Sequence, residues 1–115
     1  MARAFKVRSA ERDAQTDSER LGSISSAVEA AVASIRKERD ALRARVDAAR
    51  DQAAFATGTD YDEYLTRDAK DAAQIKEYEQ QMATGEKRTQ ELERQLGGLG
   101  AIQEVFSRYF ADKVR

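Results

Sequence analysis

Five acids gather in a short stretch: Asp60, Asp62, Glu63, Asp68 and Asp71. Clustered carboxylates are the ligands of Mg²⁺ and Ca²⁺. A calcium loop, however, needs ligands at alternating positions, a glycine at its bend and a closing bidentate Glu. The span from Thr57 to Glu63 is too short for that. Asp60-x-x-Glu63 has instead the spacing of an N-cap followed by a capping-box acid, and acids suit the positive end of a helix dipole. Acid–base work by paired carboxylates would need a cleft that shifts their pKa values. No metal or cofactor is expected.

The second group that could do chemistry is basic: Arg36, Lys37, Arg39, Arg43 and Arg45. Such a run can touch phosphates. Glu38 and Asp40 interrupt it, and its arginines spread around a helix. A nucleic-acid face shows an excess of base on one side, and the sequence pI is about 5.6. Nucleic-acid binding is therefore disfavoured. A weak contact through the basic arm Met1–Arg8, with Arg3, Lys6 and Arg8, is a third-ranked alternative. Gly97-Gly-Leu-Gly100 follows a helix and lacks the preceding strand of a phosphate-cradling loop.

What is missing narrows the chemistry further. The 115 residues contain no His, no Cys, no Trp and no Pro. Without Cys there are no disulfides, thiolate nucleophiles or Cys-ligated metals. Without His the commonest general base is gone. The expectation is a non-enzymatic protein. Twenty bases stand against 21 acids, a formal net charge of −1. The apolar fraction is inflated by 21 Ala, which leaves only 26 larger apolar residues. Ala favours helix but buries little surface, so a self-sufficient core is not expected. No apolar run has the length of a signal-peptide core or a membrane span. The default expectation is a cytoplasmic protein.

The elements follow from spacing. Residues 1–17 are expected to be a flexible basic tail. A first helix is expected over about 18–56, with Thr16-x-x-Glu19 as a capping-box pattern and the Gly22/Ser23–Ser26 stretch as another possible start. Its stripe is Leu21, Val28, Val32, Ile35, Leu42, Val46, Ala49, Ala53 and Ala56. These steps of three, four and seven make a heptad seam with one polar member, Arg39, at an a position. Gly58 suits a helix end, so residues 57–60 are expected to turn. A second helix is expected over about 61–96, striped by Tyr61, Tyr64, Ile75, Tyr78, Met82, Gly85, Thr89, Leu92 and Leu96. Gly85 marks a kink or a close approach. Gly97 to Gly100 is expected to act as a hinge before a short amphipathic helix, residues 98–115.

Two equal helices of about 54 Å joined by a short turn predict an all-α antiparallel hairpin, coiled-coil-like, with the C-terminal helix beyond it. Folding about residues 58–59 would set Val32 against Gly85, Leu42 against Ile75 and Arg39 against Tyr78, so Arg39 and Tyr78 are the candidates for setting register. Residues 21–50 carry six bases and four acids, and residues 60–96 carry six bases and ten acids. The opposite signs favour pairing.

The densest apolar face is the last one: Leu99, Ile102, Val105, Phe106, Tyr109 and Phe110 are the candidate partner-binding residues. Aromatic side chains of this kind anchor protein interfaces. The functional expectation is a coiled-coil interaction or structural protein. It would self-associate, with a dimer favoured, or dock another helical protein through its C-terminal segment. Folding back of that segment onto its own hairpin is the competing placement.

The alternative is a small coiled-coil chaperone or adaptor of a secretion or assembly apparatus. Size and charge are similar to those of flagellar and type III export chaperones, a likeness of composition that carries no residue across. ESX-type helical hairpins carry Trp-x-Gly in the turn, where this chain has Phe55-Ala-Thr-Gly58. The string Tyr64-Leu-Thr-Arg-Asp68 has the spacing of their Tyr-x-x-x-Asp signal, but it stands at the start of the second helix.

Overall fold

The computed structural model describes residues 9–56 and 69–113. Two helices make up the described chain, α1 (Ala10–Ala56) and α2 (Ala69–Phe110), in an all-α helical hairpin. The expected turn at 57–60, with Tyr61, Tyr64 and the acids Asp60, Asp62, Glu63 and Asp68, lies outside the described residues.

Helix α1 begins earlier than its spacing predicts. Residues 10–17 are helical and not tail. Ser9 is the N-cap: its hydroxyl accepts from the Arg12 N–H at 3.2 Å, and its carbonyl accepts the first helical bond from Asp13 at 3.0 Å. Glu11 and Asp13 occupy the first turn, where the helix dipole favours acids. This cap lies upstream of the apolar stripe, so a start read from the stripe falls too late. Residues 1–8 are outside the described chain.

Helix α2 also overturns an expectation. It runs unbroken through Gly97, Gly98 and Gly100 to Phe110, so there is neither a hinge nor a separate C-terminal helix. Each glycine costs about 1 kcal/mol relative to Ala in a helix. The inward residues Thr89, Leu92, Leu96, Leu99, Gln103 and Phe106 keep steps of three and four across the glycines. At the C-terminus the Ala111 N–H donates to Ser107, and the Lys113 N–H donates to Phe110 in a tighter final turn.

The chain divides into two compact units, each built from one piece of α1 and one piece of α2. Unit 1 comprises residues 9–33 and 97–113. Unit 2 comprises residues 34–56 and 69–96.

In unit 2 the buried apolar residues are Val46, Ala49 and Leu92, and Leu92 is fully enclosed. Gly85 is buried beside them, and a Cβ built on it would lie 2.5 Å from Val46 Cγ2. Of the two roles expected for Gly85, the structure shows the close approach. The register is therefore not the one predicted by folding about residues 58–59. Gly85 faces Val46 and not Val32, a displacement of 14 residues along α1. Fourteen residues are two heptads, so the same stripe stays inward in both registers. In unit 1, Val32 is the buried apolar residue, with Leu21, Ser25, Val28, Leu99, Gln103 and Phe106 half-buried on the seam.

Candidate protein-interaction face

The flanks of a two-helix seam decide what else can pack there. Seam residues take heptad positions a and d, and the residue just before an a position is a g position. In an antiparallel pair, a two-fold axis relates the helices, so the g positions of both line the same side.

Unit 2 shows this directly. Glu38 precedes Arg39 and Arg88 precedes Thr89. Arg88 Nε donates to one Glu38 oxygen at 2.8 Å and its Nη2 to the other at 3.3 Å, while Nη1 reaches Glu91 at 3.2 Å. This forked bond holds the Glu38 carboxyl below its ordinary pKa. The hydrogen bonds from Arg88 to Glu38 and Glu91 raise the guanidinium above its own. A groove of about 610 Å³ is lined by the apolar Leu42 and Val46 with Arg45 from α1, and by Gly85 with Glu77, Gln81 and Arg88 from α2. The other flank is charged as well. Arg43 bonds Glu93, and Arg50 lies 3.6 Å from Glu86. Ionic rims of this kind close a two-stranded coiled coil.

The expected register pair, Arg39 and Tyr78, is not brought together. The Arg39 side chain is 20% exposed, with Nε 3.2 Å from Asp40 and Nη1 3.8 Å from Glu93. Its stem lies along the seam and its charge leaves toward acids on the rim. Tyr78 is half-buried and accepts a hydrogen bond from Gln74 at 3.0 Å. The basic run thus delivers Arg39 and Arg43 to carboxylates. Among the described residues no acidic cluster of metal-binding type is present. The side chain of Asp71 falls outside the described set.

Unit 1 differs on its flank. Among the described residues six large apolar side chains are exposed, and five of them belong to unit 1: Ile24, Ile102, Val105, Tyr109 and Phe110. The six candidate partner-binding residues divide into two sets. Leu99 and Phe106 are half-buried on the seam. Ile102 is 51% exposed, Val105 48% and Tyr109 67%. Phe110 rests its ring 5.3 Å from Phe106 and 6.2 Å from Tyr109. Ile102, Gln103 and Phe106 line a groove of about 220 Å³ together with Ser25, Val28 and Glu29 of α1. The C-terminal segment therefore folds back on its own chain along one edge and keeps another edge bare.

Ile24 joins this bare edge, which spacing within the C-terminal stripe could not show. It precedes the seam residue Ser25, as Ile102 precedes Gln103, so both occupy g positions. The available signal was that Ile24 lies one residue ahead of a 3,4-spaced stripe, inside a serine-rich stretch that otherwise resembles a helix start.

No family model matches this chain, and no curated protein or solved structure is similar to it. No helix among the described residues is long and apolar enough to cross a membrane.

Proposed function

We propose that this chain is a non-enzymatic interaction protein that docks onto another protein surface through the bare flank of unit 1. One observation carries this reading. Large apolar side chains stand in water at Ile24, Ile102, Val105, Tyr109 and Phe110, whereas in unit 2 the g positions Glu38 and Arg88 pair with each other. Exposed apolar clusters of this kind mark interaction sites. The thin interior supports it too, since Val32, Val46, Ala49 and Leu92 are the only buried apolar residues among those described.

Site-specific photo-crosslinking in the source cells tests the reading. A photoreactive residue replacing Tyr109 is expected to give discrete protein adducts, and one replacing the exposed Lys87 of unit 2 is expected to give none. Absence of adducts from position 109, or equal labelling from both positions, would overturn the proposal.

A further inference from the structure

We infer that the hairpin holds a second seam register, one heptad from the observed one, and that a slide between the two uncovers Phe106. The slide itself does not depend on the docking role proposed above, although its regulatory meaning rests on that reading.

The flank of unit 2 that carries Arg43 and Glu93 is a charge ladder. Arg36, Arg43 and Arg50 stand one heptad apart on α1, and Glu79, Glu86 and Glu93 stand one heptad apart on α2. Two rungs are made, Arg43 with Glu93 and Arg50 with Glu86. The spare ends, Arg36 and Glu79, are exposed and have no ion-pair partner among the described residues. A slide of seven residues pairs Arg36 with Glu93, Arg43 with Glu86 and Arg50 with Glu79, so every charge of the ladder is met.

The helix ends point the same way. The Val46–Gly85 approach centres the observed seam on residues 65–66. Helix α1 ends at Ala56 and α2 begins at Ala69, and these ends are symmetric about residues 62–63. The start of α2 therefore overshoots the end of α1, and its Ala72, Ala73 and Gln74 are exposed. A one-heptad slide moves the centre to residue 62 and brings the two ends level.

The seam accepts the step, because a and d positions map onto a and d positions. Leu42, level with Thr89 in the observed register, comes level with Met82, and Val46 comes level with Tyr78. Arg39 comes level with the small Gly85, and Glu86 takes the place of Glu93 beside its guanidinium. Two features hold the observed register against this. One is the forked bond from Arg88 to Glu38. The other is the seating of Phe106 beside Ser25 and Val28. A slide of about 10 Å leaves Phe106 level with Ser18 and takes it off Val28. A partner that grips Phe106 together with Ile102 and Tyr109 thus favours the second register.

The chain has no Cys, so engineered pairs report the register cleanly. In a glutathione redox buffer, Leu42→Cys/Thr89→Cys should close an intramolecular disulfide from the observed register. Leu42→Cys/Met82→Cys should close one from the second, and Val46→Cys/Tyr78→Cys should repeat that result at another seam position. Far-UV circular dichroism checks that the helices persist. Arg36→Glu and Glu79→Lys break no rung of the observed register, but each sets like charges on a rung of the second. Each is expected to lower the yield of the 42–82 bond about threefold, the scale of one exposed ion pair. Glu38→Ala removes the forked bond and should raise that yield by a similar factor. The chain locked by the 42–82 bond should bind more of the apolar dye ANS than the chain locked by the 42–89 bond. Failure of both second-register pairs to close would overturn the inference. So would a 42–82 yield indifferent to all three charge variants, or equal dye binding by the two locked forms.

Discussion

A Cβ on Gly85 would sit 2.5 Å from Val46 Cγ2. Real Cβ atoms do not approach that closely, and the neighbour is a stiff β-branched side chain without a flexible end to swing away. This contact is the tightest marker of the register in unit 2.

Gly85→Ala gains helix propensity of about 1 kcal/mol and loses about 1–3 kcal/mol to overpacking. The expected net result is a lower melting temperature. Val46→Ala in the same chain should relieve the clash, so the double variant should melt higher than the two single losses predict when added. Additive losses in a double-mutant cycle would remove the close contact.

Gly97→Ala and Gly100→Ala should behave oppositely. A Cβ at either position meets nothing within 4 Å, and neither glycine has the left-handed backbone that would resist a side chain. Each is expected to stabilise by about 0.5–1 kcal/mol, the cost of glycine inside a helix. Thermal melts check this. Loss of stability at both would restore the hinge that the continuous α2 replaces.

Glu38 makes a pH-dependent contribution to stability. Its carboxyl is held below its ordinary pKa by the hydrogen bonds from Arg88. The folded state therefore favours the ionised form. The stabilising contribution is complete above the ordinary glutamate range and is lost as pH falls through the lowered folded value. In an NMR titration, Arg88→Gln should return Glu38 to its ordinary range. An unmoved Glu38 titration would show that Arg88 is not the cause. Because both side chains are nearly half exposed, high salt should shrink the difference.

Leu92 is the one fully buried large side chain among the described residues. Leu92→Ala is expected to cost about 2–5 kcal/mol through lost contacts and the cavity left behind, enough to unfold a marginal two-helix unit. Leu96→Ala, at a half-buried seam position, should cost less. Denaturant midpoints that rank the two in the reverse order would misplace the centre of unit 2.

Arg39 was legible as a polar seam residue, and so were the stripes that flank it. From Ser25 to Ala53 and from Ile75 to Phe106 every position at the 3,4 spacing is buried or half-buried, with Ala31, Arg88 and Glu91 half-buried beside the stripe. The outward escape of the Arg39 guanidinium follows from its long stem. Its rim partner, Glu93 in place of the Tyr78 side, followed from nothing local. The same holds for the interaction flank. Ile102, Val105 and Tyr109 could be named from their apolar character, but Leu99 and Phe106 belong to the same stripe and turn to the seam.

Composition and spacing by themselves determined the all-α class, the two seams, the small apolar interior and the unusual density of apolar residues after Leu96. These depend on the 3.6-residue period and on side-chain chemistry, which are properties of the chain alone. Tertiary structure decided the register, the continuity of α2 and which edge of the C-terminal stripe stays bare. Sliding one helix by 14 residues leaves every a and d residue on its stripe, so periodicity cannot choose between registers two heptads apart. The choice falls to contacts between the helices, the approach of Gly85 to Val46 and the reach of Arg39 to Glu93. Glycines 97, 98 and 100 read locally as a break. In the folded chain they lie inside the continuous helix α2, which carries Ile102, Val105 and Tyr109 as exposed side chains of unit 1.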